Sequence, residues 1–232
     1  MFQRLAIDRG AILFDAERVA APGAQLFERE HWSARGSLTE QAGGRGSIDF
    51  IEGEGHRWVM RRYLRGGMAA IFARERYLFL GEDQTRSFRE LRLLGALRQR
   101  GLPVPAPVAA CYWRALLTYT AALITERLPG VRSLSETLAA GGMVDARWAA
   151  IGRCLRRFHD AGVQHADLNA HNIMLGENGE VWLLDFDRGR LREPGSWRER
   201  SLNRLARSLA KISDGQGEWR SGFALLRRAH DS

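Results

Sequence analysis

The stretch His165-Ala166-Asp167-Leu168-Asn169-Ala170-His171-Asn172, followed thirteen residues after Asn172 by Asp185-Phe186-Asp187, decides how this chain is read. Ile173-Met174-Leu175 is a short apolar run with strand character, and Val181-Trp182-Leu183-Leu184 is a second. Between them Glu177-Asn178-Gly179 carries the Asn-Gly signal of a tight hairpin. The returning strand then delivers Asp185 at its end. An Asp with an Asn five residues on is commonplace by itself, and each of these residues also suits a turn or a strand terminus. The information lies in their joint order: His, Asp, Asn, hairpin, Asp-Phe-Asp.

The rest of the chain bounds what this order can mean. A length of 232 residues suffices for one core or for two small lobes around a cleft. A hydrophobic fraction of 45% and six prolines describe a globular protein rather than a disordered one. No apolar run approaches the roughly eighteen residues that a membrane-spanning helix needs. Met1 to Ala20 alternates charged and apolar residues, so export through a signal peptide is not expected. Cys111 and Cys154 have neither metal-ligand spacing nor a disulfide framework, and read as buried thiols in a reducing cytosol.

The formal net charge is +8, carried by arginine, with Lys211 as the single lysine. From Arg57 to Arg100 there are eleven Arg against Glu75, Glu82, Asp83 and Glu90. From Arg188 to Arg207 there are seven Arg against Glu193 and Glu199. Single arginines usually belong to a solvated face. Two such clusters flanking one cleft point to an anionic partner: nucleic acid, lipid headgroups or a phosphorylated substrate. A nucleic-acid partner is not expected, since the chain offers neither an aromatic stacking motif nor a recognition helix.

Residues 1 to about 35 give no clear elements, although Trp32 is expected to pack on the first lobe. Ser47 to Ile51 and Arg57 to Tyr63 read as a strand pair joined by Glu52-Gly53-Glu54-Gly55. Just upstream, Gly43-Gly44-Arg45-Gly46 is a turn or a phosphate-cradling loop, because glycines let backbone amides face an anion. Arg65-Gly66-Gly67 breaks the second strand. Met68 to Leu80 is expected to pack on the lobe, with a membrane surface as the other reading. Phe88, Leu91, Leu94 and Leu97 recur on one face of a helix over Thr85 to Arg100, which Gly101 and Pro103 end. Glu90 borders that stripe and either reaches solvent or meets a buried cation. Pro103, Pro105 and Pro107 form an extended connector, and Ala121 to Ile124 a strand. Thr125 to Gly130, with Glu126, reads as a hinge. Ser133 to Ala140, Ala146 to Ala161 and Ser201 to His230 are helical.

In sum this order resembles the protein-kinase-like fold from about Gly43 to Asp187: α+β and bilobal, with an antiparallel-sheet N-lobe (1–124) and a mostly helical, shortened C-lobe (125–232). More narrowly, His165 to Leu175, Val181 to Gly189 and Trp58 to Gly67 resemble the family of 3-deoxy-D-manno-octulosonic acid (Kdo) kinases. That resemblance implies transfer of phosphate from ATP to the Kdo 4-hydroxyl of a Kdo-lipid A type acceptor. It also implies work at the anionic cytoplasmic face of the inner membrane, as a peripheral protein. By position it implies Asp167 as the catalytic base beside the acceptor hydroxyl, and Asn172 and Asp185 as Mg2+ ligands. Gly44, Gly46, Arg61, Glu90 and Glu126 would serve the nucleotide.

Two departures bear on that reading. Arg61 stands where protein kinases use lysine, and arginine is bulkier and forked. Asp187 replaces a glycine, and only 45 residues follow it, which suits a sugar acceptor better than a protein one. Three readings stand beside the main one: a kinase of the same fold acting on heptose or, as compact atypical kinases do, on a protein; an inactive kinase-like binding module, suggested by Arg61; and, from charge alone and least expected, a nucleic-acid-binding protein. His159 and His165 read as packing residues that brace the loop, and Trp182 and Phe186 as core. Asn169 and His171 are candidates to face acceptor or phosphate.

Overall fold

The structure, a computed structural model, describes residues 1–40, 48–53, 55–63, 77–213 and 218–232. Gly44, Gly46, the Arg65-Gly66-Gly67 break and most of the apolar stretch after it lie outside the described residues. The chain divides into two units: Met1–Gly95 with Ala106–Arg127, and Ala96–Pro105 with Leu128–Ser232.

The first unit comprises β1 (Phe2–Ile7), β2 (Gly10–Asp15), α1 (Arg29–Ser33), β3 (Leu38–Glu40), β4 (Ile48–Gly53), β5 (His56–Arg62), β6 (Tyr77–Leu78), most of α2 (Arg86–Gln99), β7 (Pro107–Ala115) and β8 (Thr118–Glu126). The strands form one antiparallel sheet in the order β1-β2-β7-β8-β5-β4-β3, with β6 on the same side of β8 as β5. Period-two alternation places the core. In β5, Trp58 and Met60 are buried while Val59 and Arg61 occupy the other face. Ile12, Ile51, Val108 and Ile124 complete the same cluster. Trp32 is buried in it as expected, edge-on to Trp58, with its indole N–H donating to the Leu26 carbonyl at 2.9 Å.

Two stretches depart from the sequence reading. The N-terminus forms a hairpin whose tip, Arg9, has φ +56, without the Asn-Gly chemistry that would announce it. Gly10 is required there: a Cβ would lie 1.9 Å from the Tyr112 carbonyl oxygen of β7. The proline connector ends earlier than expected, because Pro107 opens a nine-residue central strand. Proline is tolerated at a first strand position. Val108 to Tyr112 is buried on both faces, so it shows no alternation that would mark a strand.

The second unit holds β9 (Arg132–Ser133), α3 (Leu134–Ala139), α4 (Asp145–Asp160), β10 (Val163–Gln164), β11 (Ile173–Leu175), β12 (Val181–Leu183), β13 (Arg190–Leu191), α5 (Trp197–Ile212) and α6 (Glu218–Asp231). A capping box starts α3: Ser133 Oγ accepts from the Glu136 N–H, and the Glu136 carboxylate accepts from the Ser133 N–H. Helix α4 closes at Gly162, φ +73, just ahead of the motif-bearing loop. The basic C-terminal segment is helical on both sides of residues 214–217, which lie outside the described residues. α4 and α6 approach through glycines: a Cβ at Gly152 would lie 2.2 Å from the Leu226 carbonyl oxygen, and one at Gly222 would lie 2.1 Å from the Trp148 ring. Both cysteines are buried and unbridged, Cys111 in β7 of the first unit and Cys154 in α4 of the second.

Candidate active site

In the second unit the loop 165–172 is tied together by its own side chains. The buried ring of His165 accepts the Asp167 N–H at Nδ1 (3.1 Å), so its proton sits on Nε2 and is donated to the Leu184 carbonyl at 2.8 Å. Burial holds this imidazole below its ordinary pKa and keeps it neutral. One ring thus connects the backbone at Asp167 with the residue before Asp185. The Asn172 amide donates to the Asp167 carbonyl at 2.9 Å, closing the loop across five residues. Asn169 is committed on both ends: its Nδ2 donates to the Asp167 carbonyl (3.0 Å) and to Asp167 Oδ2 (3.2 Å), and its Oδ1 accepts the His171 N–H at 2.9 Å.

The hairpin brings the second acid to the same end. Ile173 pairs with Leu183, Met174 with Trp182 and Leu175 with Val181. The Leu184 N–H then donates to the Asn172 carbonyl at 2.9 Å, continuing the ladder to the threshold of Asp185. The connection is a three-residue loop with Gly179 at φ +84. Asp185 has φ +61, a left-handed conformation that Asp and Asn tolerate better than other non-glycine residues. Its Oδ1 accepts the Asp187 N–H at 3.4 Å. Phe186 is buried, stacked on Phe158 at 5.8 Å and tilted against His165 at 4.8 Å. The aromatic anchor thus fixes the turn that carries the carboxylate.

The donor set fits magnesium. The Asn172 amide nitrogen is spent on Asp167, which leaves a carbonyl-type oxygen, and Asp185 adds a carboxylate; both are hard oxygen donors. Magnesium binds through one or two such groups and completes its shell with phosphate and water. Among the described residues no group of three His, Cys, Asp or Glu side chains forms a larger cage.

In the first unit Arg61 Nη2 lies 2.6 Å from both carboxylate oxygens of Glu90, which is buried. Tyr63 Oη donates to Glu90 Oε2 at 2.6 Å, and the Arg61 guanidinium lies 5.1 Å from the centre of the Tyr63 ring. Glu90 therefore reaches a cation rather than solvent. Tyr63 was not singled out from the sequence; its spacing of two residues from Arg61 was the available signal. Arg62, its neighbour in β5, belongs to a different cluster: it pairs with the fully buried Asp49, as does Arg29. The side chain of Glu126 forms an ion pair with Arg18, and its N–H donates to the Ala106 carbonyl at 2.8 Å.

Much of the first basic stretch is consumed in such contacts. Arg57 meets Glu52, Arg92 meets Asp83, and Arg86 lies over the Tyr77 ring. A charge count along the chain overstates the free basic surface there.

The model of the lipopolysaccharide kinase (Kdo/WaaP) family matches residues 29–223. A protein of Stenotrophomonas maltophilia (strain K279a) named 3-deoxy-D-manno-octulosonic acid kinase is 48% identical over 225 residues, 96% of this chain and 90% of its own length. Proteins of the same name from Xanthomonas axonopodis pv. citri (strain 306), 49% identical, and Xylella fastidiosa (strain 9a5c), 48% identical, match with the same shares of each chain. Among solved structures, WbdD in complex with the kinase inhibitor LY294002 superposes with a TM-score of 0.50 at 20% identity, over 83% of this chain and 44% of that one. This likeness shows the kinase-like α+β fold that the motif order implied.

Proposed function

Since the chain belongs to the lipopolysaccharide kinase (Kdo/WaaP) family, we propose that it transfers the terminal phosphoryl group of ATP to the 4-hydroxyl of Kdo in a Kdo-lipid A type glycolipid. What carries this reading is the loop in which Asn172 is bonded to the Asp167 carbonyl while the hairpin ladder runs from Asn172 to the residue before Asp185. In the transfer, the bond between the γ-phosphorus and the ADP oxygen breaks and a bond from that phosphorus to the acceptor oxygen forms. Asp167 orients the hydroxyl and takes its proton. Such transition states are loose, so the protein contributes mainly position and charge.

Asn172 and Asp185 would hold Mg2+, which when bound neutralises charge on the phosphate oxygens. In the first unit, Arg61 is the cation for the nucleotide phosphates. Glu90 and Tyr63 hold it in place, so the substitution of arginine for lysine keeps a functioning pair. Gly44 and Gly46 serve the nucleotide through backbone amides, and Glu126 through the backbone at the end of β8. The acceptor would be met at the cytoplasmic side of the inner membrane, with the protein attached peripherally through its cations. None of the described helices is long and apolar enough to cross a membrane.

The test is mass spectrometry of a Kdo-bearing lipid A precursor after incubation with the protein, ATP and Mg2+. One phosphate added to the Kdo residue is the expected product. Phosphate on heptose, or no acceptor-dependent consumption of ATP, would refute the reading.

A further inference from the structure

Arg204, on α5, lies against the carboxylate beside which the acceptor hydroxyl must sit. Its Nη1 is 3.2 Å from Asp167 Oδ1, and the two side chains are 49% and 52% exposed. An ion pair so open to water adds little to folding, so stability alone does not account for its place beside the loop. The contact is held in register by Ser208, one turn further along α5, whose Oγ accepts the Ala170 N–H at 3.1 Å. Asp167 Oδ2 is engaged separately by Asn169.

Arg204 also belongs to a row. Arg200, Arg204, Arg207 and Lys211 are all exposed. Their spacing confines them to about 60° of the helix surface over a length of about 16 Å. Leu202, Leu205 and Leu209 are buried on another face of the helix. Glu199, the helix's one acid, is occupied by Arg227 at 2.7 and 3.0 Å. Among the described residues, Asp167 is the carboxylate with which the row forms an ion pair, through Arg204.

We propose that Arg204 selects the acceptor by binding the carboxylate of an acidic sugar while it holds Asp167, a specificity that rests on the Kdo reading above. One of its N–H groups is used on Asp167, and the planar fork retains donors for a second carboxylate. The sugar acid carries that group on the same ring system as the hydroxyl to be phosphorylated. Arg207, one turn along the row, adds a second positive charge on that side. A neutral sugar such as heptose brings no anion, and the guanidinium is left without its second partner.

The experiment compares the wild-type chain and Arg204→Gln on a Kdo-terminated acceptor and on the same acceptor with its carboxyl group converted to the primary amide. Wild-type kcat/KM should fall about 10- to 100-fold on the amide. The variant should be equally poor on both acceptors, with the KM for ATP unchanged. A variant that kept the wild type's preference for the carboxylate acceptor over the amide would overturn the assignment, and so would a wild-type chain indifferent to the amide; that second arm does not depend on the variant folding. If the wild-type chain turned over neither acceptor, the Kdo reading would fall and Arg204's role with it.

Discussion

Asp185 combines a charge requirement with a backbone requirement, and substitution can separate them. At φ +61 asparagine is tolerated nearly as well as aspartate, whereas alanine is not. Asp185→Asn should therefore fold with near wild-type stability and lose turnover on the order of 10³-fold, the scale expected when a metal-held charge is removed. Asp185→Ala should be about 1 kcal/mol less stable in addition. Steady-state rates beside urea melts of both variants check this, and an active Asp185→Asn enzyme would contradict the metal assignment. At this scale the loop was legible in the sequence, because oxygen donors and hairpin chemistry leave local signals. Tyr63, Ser208 and Arg204 were not, since each is placed by tertiary packing against a residue 27 to 38 positions away.

At the scale of elements, sequence pattern served helices better than strands. The stripe Phe88, Leu91, Leu94 and Leu97 found α2 because one face is buried and the other wet. β7 was missed because burial on both faces erases alternation, and β1–β2 because Arg9 occupies a left-handed turn position that usually calls for glycine or asparagine. The α4–α6 crossing was also invisible: it depends on Gly152 and Gly222 facing a carbonyl and an indole, and isolated helical glycines carry no partner information. Gly152→Ala should cost about 1–3 kcal/mol, because the Leu226 backbone cannot yield as a flexible side chain would. Chemical denaturation would reveal it, and an unchanged midpoint would mean that α6 shifts without penalty.

For the molecule as a whole, acid should act unevenly. His159 is buried, with its ring edge-to-face with that of Trp197 and its Nδ1 2.8 Å from His230 Nε2, and Arg198 and Asp160 stand nearby. Burial is the largest cause that brings its pKa down from 6.5 to about 4. The unfolded chain therefore binds this proton more readily than the folded one. Stability from this residue is complete above pH 6.5 and is lost as pH falls toward 4. Between pH 7 and pH 5 the second unit should lose about 2 kcal/mol, a slope that His159→Gln flattens in urea titrations at the two pH values. His165, lowered in the same direction, lies in that unit too. Because each half of the chain encloses a single sulfhydryl, with Cys154 pushed up to about 12 and Cys111 raised well above the ordinary thiol range, alkylation becomes a two-channel clock. A trapping reagent reads the opening of each half from its own peptide; mild acid slows thiolate chemistry at both sites alike, so its effect on the second half should appear as a rise in the Cys154 rate relative to the Cys111 rate.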